Sequence, residues 1–355
     1  MNYYNKESLL SAVGNATTLV ELKLNNESSA IISQFGGRPL GIFPRNTCYS
    51  LLWINQEIRK TIEARNRSIG GDRYWISPEQ DFYYKNPERW EGWFCPEELD
   101  PANYEILASS DKFCTVSSPI SVVNQKTKET YRGEVTRQLS LIEEPIKTGL
   151  AYCGIEFLDD CVFFRPELKI NGWSLANIIS GGAKNPGTVL VPTNPNPKPL
   201  SYFRIIPEDR LTIEENYVAY KIDVDDIYKL AIRPEDINFN RPARIGYVLK
   251  IPDFDEYGFL LKLSDDIPKT QEECFDISRD HPDSEIGVIQ SYNSDSPDKP
   301  ILRYGEIELQ LNLFKTIDNT SHGKAKHQLI GYIGTKDEIL GVVEKYLGIS
   351  NPKLF

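Results

Sequence analysis

The sequence predicts an all-β fold, and three observations support this prediction. Polar and apolar residues alternate with a period of two in several segments, as they do in strands. Glycine and proline, 23 of each, interrupt these segments at short intervals, as turn residues do between strands. Only two segments combine the apolar spacing of a helix with the signals that start or stop one.

The strand-like segments are spread along most of the chain. Residues 19–24 and 134–141 alternate or are largely apolar. Residues 160–164, 188–191 and 257–263 are short apolar runs of the kind that fill the core of a β-sandwich. We therefore expect these five segments to be strands.

Two segments are predicted to be helices. Residues 5–13 are followed by Gly14, which is a common stop signal. Residues 336–347 carry an apolar stripe at helical spacing, and Thr335 with Glu338 forms a capping box at their start. We expect this C-terminal helix to pack on a sheet.

Three stretches lack clear patterning. Residues 80–103 hold six aromatic side chains among many charges, and residues 192–199 are a proline-rich connector that is expected to be extended. Residues 264–300 are polar and acidic, which predicts a solvated excursion. None of these stretches has the composition of a flexible Gly/Ser linker. The chain is therefore predicted to form one domain over residues 1–355.

Charge and composition narrow the classes of partner. The 355 residues carry a formal net charge of −11, with lysine and arginine scattered, which argues against nucleic acid and anionic membrane surfaces as partners. The amino terminus lacks the pattern of a signal peptide, which predicts a cytoplasmic protein, or a periplasmic or secreted one if a leader was removed. A monomer or a weak homo-oligomer is expected.

The six cysteines and three histidines show no spacing typical of a metal site. We expect most of the cysteines to be buried, reduced thiols. The sequence also lacks a phosphate-cradling glycine loop, a nucleophile elbow and a zinc-protease motif. It therefore predicts no metal and no cofactor.

The most informative segment is residues 70–79, which read Gly-Gly-Asp-Arg-Tyr-Trp-Ile-Ser-Pro-Glu. Asp72 and Arg73 supply hydrogen-bond acceptors and a planar set of donors, and the aromatic pair that follows supplies flat apolar faces. Sugars need this mixture, because they carry hydroxyls at their edges and C–H groups on their faces. The alternative is a buried arginine paired with Asp72 or Glu79, beside a core tryptophan.

Five segments in this order resemble the galactose mutarotase-like superfamily, in an uncharacterised branch related to aldose 1-epimerases. They are residues 35–41, 70–79, 172–178, 187–193 and 304–310. The resemblance covers most of the chain, although each motif alone is weakly specific. It implies a large, mainly antiparallel β-supersandwich with a sugar-binding cleft, to which the sequence adds a C-terminal helix.

The resemblance also implies catalytic residues. Family enzymes use a late glutamate as base and a central histidine as acid. Residues 307–310, Ile-Glu-Leu-Gln, resemble the Leu-Glu-Pro-Gln strand of those enzymes, so Glu308 is the candidate base. Glu306 lies on the same face of this strand, and the two carboxylates would raise each other's pKa if both entered a cleft. The alternative is that both glutamates lie on a solvated face.

The candidate acid has no counterpart here. The central segment, residues 171–176, contains no histidine, and His281, His322 and His327 all lie in the last quarter of the chain. We expect these three to be loop histidines. Without a recognisable acid, either another donor serves or the protein binds without catalysis.

The candidate substrate-binding residues lie mainly in the early segment. The family places an arginine from an early strand in its cleft, and Arg73 matches that position. Trp75 shares its face by alternation and could form a stacking floor. Asp72 and Glu79 are polar candidates in the same segment, and Lys250 is a further cationic candidate.

The sequence therefore predicts a carbohydrate-binding protein whose partner is a mono- or oligosaccharide. One interpretation is an aldose 1-epimerase-like isomerase with Glu308 as base. A second is a non-catalytic sugar-binding or sensing protein. A more remote one is a glycoside-cleaving enzyme that pairs Glu79 with Glu306 or Glu308, at a separation that sequence does not give.

Overall fold

The computed structural model describes residues 3–279, 285–294 and 302–355. The helices in these residues are α1 (Lys6–Val13), α2 (Ile58–Glu63), α3 (Glu79–Tyr83) and α4 (Lys336–Leu347), with short 3₁₀ turns at Pro87–Arg89, Pro234–Asp236 and Gln271–Glu273. The strands are β1 (Leu19–Lys23), β2 (Ser29–Ser33), β3 (Arg38–Phe43), β4 (Asp72–Ser77), β5 (Tyr84–Asn86), β6 (Glu91–Trp93), β7 (Glu105–Ser109), β8 (Phe113–Val123), β9 (Thr130–Leu141), β10 (Ala151–Phe163), β11 (Asn171–Ile178), β12 (Gly187–Pro192), β13 (Leu200–Ser201), β14 (Leu211–Ile213), β15 (Tyr217–Ile222), β16 (Tyr228–Ile232), β17 (Ala243–Lys250), β18 (Tyr257–Ser264), β19 (Ile289–Asn293), β20 (Gly305–Leu313), β21 (Lys315–Ile317) and β22 (Thr320–Gly334).

Two large antiparallel sheets dominate the described residues. Across the larger sheet the strand order is β14, β15, β12, β17, β18, β22, β10, β9, β8 and β7, with β21 paired to β22. Across the smaller sheet the order is β13, β16, β19, β20, β11 and β4. Strands β1 to β3 form a separate small sheet, and β5 with β6 forms a hairpin.

The main core lies between the two large sheets. Strand β20 of the smaller sheet contacts β17, β18 and β22 of the larger one. Ile307 and Leu309 of β20 belong to the same fully buried cluster as Leu260 and Leu329 of the facing sheet. Burying one such side chain stabilises the fold by about 1.5–3 kcal/mol. The smaller sheet therefore turns one face to the core and leaves the other for a site.

Helix α4 covers the opposite face of the larger sheet. Its Thr335–Glu338 capping box is present, and Gly348 ends it in the left-handed region with φ 70°. Ile339 and Val343 belong to a buried cluster with Phe259 and other side chains of the larger sheet. The predicted helix and its packing are confirmed. No helix among the described residues is long and apolar enough to cross a membrane.

The predicted fold class, a mainly antiparallel β-sandwich with a C-terminal helix, is confirmed. Two expectations were wrong. Residues 80–103 contain α3, β5 and β6, and the supposed excursion at 264–300 contains β19, whose residues are mostly buried. Polarity misled the second prediction, because Gln290 of β19 donates to buried Asp276 at 2.8 Å. All six cysteines are free thiols, five of them buried.

Candidate functional site

Two glycines set the position of strand β4. Gly70 and Gly71 have φ of 92° and 82°, in the region that favours glycine. A Cβ on Gly70 would lie 2.1 Å from the Trp53 carbonyl oxygen, and one on Gly71 would lie 2.2 Å from that of Pro39. The chain therefore passes between two backbone segments with no room for a side chain. The two glycines therefore allow β4 to begin close to these two segments.

Cross-strand register in the smaller sheet brings together charged residues of β4, β20 and β16. Arg73 of β4 pairs with Leu175 of β11, which pairs with Glu308 of β20. Asn177 of β11 likewise pairs with Glu306 of β20. Glu306 pairs in turn with a residue of β19 that lies opposite Lys229 of β16. Because alternate residues share a face, these side chains gather on the side away from the core.

This face forms the floor of a cavity of about 750 Å³. Its charged lining consists of Arg67, Arg73, Arg204, Lys229, Arg279, Glu79, Asp226 and Glu306. Its aromatic lining includes Trp75, Tyr84, Trp93, Trp173, Phe203 and Tyr304. The size and the mixture of flat and polar groups are typical of small-molecule sites.

Three side chains in the floor form hydrogen bonds and an ion pair with one another. The Nη1 atom of Arg73 donates to Asn177 Oδ1 at 3.0 Å, and the amide of Asn177 donates to Glu306 Oε1 at 2.8 Å. Arg73 also forms an ion pair with Glu306. Burial lowers the pKa of Arg73, but the charge of Glu306 offsets this and raises it overall. Arg73 is therefore a permanently charged donor held in place.

Lys229 and Glu308 form a second buried pair beside these three side chains. The ammonium lies 3.2 Å from Glu308 Oε2, which also accepts from the indole of Trp173 at 3.1 Å. The Oε1 atom of Glu308 accepts no hydrogen bond from the described residues. Burial raises the pKa of Glu308 to about 7; Lys229 opposes the rise and Glu306 adds to it. Glu308 can therefore gain or lose a proton near neutral pH.

Glu79 is the third carboxyl of this region. It begins helix α3, lines the cavity, and accepts from the indole of Trp93 at 3.0 Å. Burial raises its pKa, although the charge of Lys229 acts in the opposite direction. The buried environment of Glu79 thus favours the protonated, neutral form of its carboxyl group.

The aromatic walls are packed against one another. The rings of Trp75 and Tyr83 stack with centroids 4.7 Å apart, and Trp173 meets Trp75 edge-on at 5.7 Å. The guanidinium of Arg73 lies 4.4 Å from the Trp75 centroid. Trp93, on the β5–β6 hairpin, is 41% exposed and completes the wall. These faces are held rigidly, so a ligand would meet a preformed surface.

The structure brings together five of the seven residues singled out from the sequence, four in the cavity lining and one directly behind it. Arg73, Trp75, Glu79 and Glu306 line the cavity, and Glu308 lies directly behind the lining pair Lys229 and Trp173. The other two lie elsewhere, for different reasons.

Asp72 and Lys250 do not line the cavity. Asp72 precedes Arg73 and so faces the core, where it accepts from Lys262 at 2.8 Å and from Ser174 at 3.0 Å. Lys250 ends strand β17 of the larger sheet, where it is exposed and pairs with Asp255 at 3.1 Å.

The two described histidines also lie away from the cavity, and both are in strand β22 rather than in loops. His327 is buried, bonded to Asp159 at 2.8 Å and stacked on Phe157. His322 is bonded to Thr320. The prediction that they lie in loops was wrong for both. The first half of β22 is rich in small and polar residues, which hid its strand pattern. His281 lies outside the described residues.

Sequence reasoning missed most of the cationic lining. Lys229 occurs in a short apolar strand, while Arg67, Arg204 and Arg279 lie outside strands. No motif marks any of them, and only the tertiary structure brings them to one cavity. The aromatic residues at 82–94 were the one feature of the sequence that indicated the aromatic walls of the cavity. Among the described residues, no group of three or more His, Cys, Asp or Glu side chains is arranged to hold a metal ion.

Comparison with known proteins gives one partial family match. A family of unknown function (DUF6786) matches residues 2–157, which is less than half of the chain. No curated protein matches the sequence.

Several solved structures are similar to this chain at low sequence identity. A galactose mutarotase-like protein from Clostridium acetobutylicum is 12% identical with a TM-score of 0.47, over 90% of this chain and 99% of that one. A galactose 1-epimerase from Lactobacillus acidophilus NCFM is 9% identical with a TM-score of 0.43, over 90% and 98%. A GalM/aldose epimerase homologue from C. elegans is 8% identical with a TM-score of 0.42, over 90% and 99%. Similarity at this level assigns no activity to this chain.

Proposed function

We propose that this chain binds a carbohydrate in the cavity on the smaller sheet. The observation that carries the proposal is the combination of packed aromatic faces with buried, oriented charges in one space of about 750 Å³. Trp93, which is 41% exposed, offers ring surface to the C–H side of a sugar, and the buried Trp75 packs behind it. Arg73, Lys229 and Glu306 offer donors and acceptors to its hydroxyls. The volume suits a mono- or short oligosaccharide.

A glycan screen followed by titration calorimetry tests this proposal. Trp93→Ala removes a 41% exposed wall residue, so the fold should persist while affinity for a screened sugar falls about ten-fold. Phe164→Ala, which removes a 65% exposed aromatic outside the cavity, is the matched control and should bind like wild type. Folded protein with no hits, or equal binding by Trp93→Ala and wild type, contradicts the proposal.

Arg73→Ala is the second variant in the same experiment. Losing a charge-assisted hydrogen bond should weaken binding by about 1.5–3 kcal/mol. Because Glu306 then loses its partner, circular dichroism must first establish that the variant is folded. Undiminished binding by the folded variant removes Arg73 from the site.

A second candidate function is proton transfer at the anomeric centre, as in an aldose 1-epimerase. Two observations favour it. Glu306 faces the cavity, and burial brings the pKa of its neighbour Glu308 to about 7, near the optimum for exchanging protons. A buried Glu79 with a raised pKa is a candidate proton donor in place of the absent histidine.

Polarimetry on freshly dissolved sugars tests this second function. Glu308→Gln and Glu306→Gln keep side-chain shape, and loss of a catalytic base should slow mutarotation by about 10²–10⁴-fold. In wild type the rate should rise with pH through about 7, as Glu308 loses its proton. His322→Gln is the control and should have no effect. A sugar that binds without any acceleration of mutarotation leaves binding as the function.

A further inference from the structure

The cavity has an excess of positive charge, although the chain as a whole is acidic. Five cationic side chains line it against three carboxylates, in a chain with a net charge of −11. Burial also raises the pKa of one of those carboxyls, Glu79, which favours its neutral form. The local excess therefore does not follow from the overall composition.

Three of the five cations are already paired. Arg73 pairs with Glu306, Lys229 with Glu308, and Arg204 with Asp226. These charges are balanced within the protein and can serve neutral hydroxyl groups.

The other two cations are Arg67 and Arg279. Neither forms an ion pair with any carboxylate in residues 3–279, 285–294 or 302–355. Arg67 is half-buried and Arg279 is exposed at the cavity. Their guanidinium groups instead lie against aromatic rings, Arg67 at 4.9 Å from the Trp93 centroid and Arg279 at 4.8 Å from that of Phe203.

Both guanidinium groups lie beside one hairpin. Tyr84 and Trp93 are directly opposite each other in strands β5 and β6. Arg67 lies over Trp93. Burial raises the pKa of the Tyr84 hydroxyl, and the nearby charge of Arg279 opposes that rise. Because Tyr84 and Trp93 belong to one hairpin and both arginines line the cavity, the two guanidinium groups lie at the same wall of the cavity.

We infer that the cavity takes an acidic sugar, whose carboxylate, sulfate or phosphate group lies between Arg67 and Arg279. This inference rests on the proposed sugar-binding function. A guanidinium offers two parallel donors to such an oxyanion, and the aromatic surfaces behind each arginine hold its plane. The paired cations of the floor, Arg73 and Lys229, would then donate hydrogen bonds to the hydroxyl groups of the sugar.

Calorimetry with matched ligands tests the inference. The probes are D-glucose and D-galactose, their uronates, and their 6-sulfate and 6-phosphate esters, together with neutral and uronate-containing disaccharides. At least one acidic form should bind about ten-fold or more tightly than its neutral parent, and this preference should shrink as sodium chloride is raised. The uronate and ester arms show which oxyanion is preferred, and a preference for either supports the inference.

Variants assign the preference to the two arginines. Arg67→Gln and Arg279→Gln should each weaken the acidic ligand about 10- to 100-fold and weaken its neutral parent much less. Arg165→Gln, a half-buried arginine paired with Glu129 outside the cavity, should change neither. If one variant fails to fold, the other still tests the role of the arginines, and the salt dependence in wild type still tests the acidic preference.

The outcomes separate this inference from the proposed function. Neutral and acidic forms bound equally tightly, at any salt concentration, overturn the acidic preference and leave sugar binding intact. An acidic preference that survives both substitutions overturns the role of the arginines. No binding of any form by folded protein overturns both proposals.

Discussion

Two clusters of buried polar side chains lie on opposite faces of strand β4. One is enclosed in the core, and the other lines the cavity. On the core side, Asp72 pairs with Lys262 at 2.8 Å, and Asp159 pairs with Arg137 at 2.8 Å and is hydrogen-bonded to His327 at 2.8 Å. Arg137 also donates to the backbone carbonyl of Asp72 at 3.1 Å. All five side chains are at most 1% exposed. This cluster ties the two sheets together and faces no cavity.

The cluster on the other side of β4 is open. Arg73 and Glu306 are paired as tightly as the core charges, but both line the cavity, and two further arginines there lack described acidic partners. Neighbouring residues of one strand, Asp72 and Arg73, thus join clusters of different kinds. The comparison teaches that buried charge alone does not mark a site. The second cluster differs from the first in lining a cavity and in having two arginines without described acidic partners.

The largest expected effect comes from breaking the enclosed cluster. Burial raises the pKa of Asp159, but Arg137 and His327 more than offset it and hold the pKa at about 2. Asp159→Asn removes that charge and leaves Arg137 buried without it, which should lower the free energy of unfolding by about 3–5 kcal/mol. Urea denaturation at neutral pH measures the change.

Glu156→Gln is the matched control for this substitution. Glu156 lies in β10, the strand that also holds Asp159. It pairs at 2.9 Å with Lys326 of β22, and this pair lies at the surface, whereas the Asp159 cluster is buried. Its loss should cost about 0.2–1 kcal/mol. If Asp159→Asn costs no more than Glu156→Gln, the core cluster does not stabilise the fold, and the comparison fails.

A smaller effect distinguishes the clusters by the sign of their pH dependence. Burial raises the pKa of Glu308 from its ordinary 4.5 to about 7. Between these values the native protein keeps a proton that the unfolded chain has lost, so this stabilising contribution falls as pH rises. Burial lowers the pKa of His327 from its ordinary 6.5, although Asp159 opposes this. The unfolded chain therefore gains a proton below pH 6.5 that the native protein resists, and stability falls as pH falls.

Unfolding free energies at pH 5, 6 and 7 measure both contributions. Relative to wild type, Glu308→Gln should become more stable as pH rises, and His327→Gln should become more stable as pH falls. Each difference is at most about 1.4 kcal/mol per pH unit. Glu156→Gln again serves as control. Slopes of the same sign for the two variants would show that the clusters titrate alike.

Much of the secondary structure could be predicted from local sequence. The period of two located the strands at residues 134–141 and 257–263, and the capping box located the C-terminal helix. These signals are local, because alternation and end caps depend on residues within a few positions of one another. Where a strand is buried on both faces and its polar groups are paired internally, as in β19, the alternation disappears and the prediction fails.

The candidate site was predicted only in part, for the same reason. Alternation along one strand placed Arg73 with Trp75 and Glu306 with Glu308, which are the pairs that the structure keeps on one face. It also left Asp72 as a candidate, because sequence does not show which face of β4 meets the core. Which face meets the core depends on the facing sheet, where Lys262 forms an ion pair with the Asp72 carboxylate.

The sequence by itself therefore determined the strand content, the C-terminal helix, the face shared by Arg73 and Trp75, and the aromatic material of the walls. Only the tertiary structure decided that Lys229, Arg67 and Arg279 join them, and that the central histidine has no replacement among the described histidines. The physical reason is that a strand's own period is local, whereas the cavity is made by the register of strands far apart in the chain. That register is set by packing between the two sheets, to which residues throughout the chain contribute.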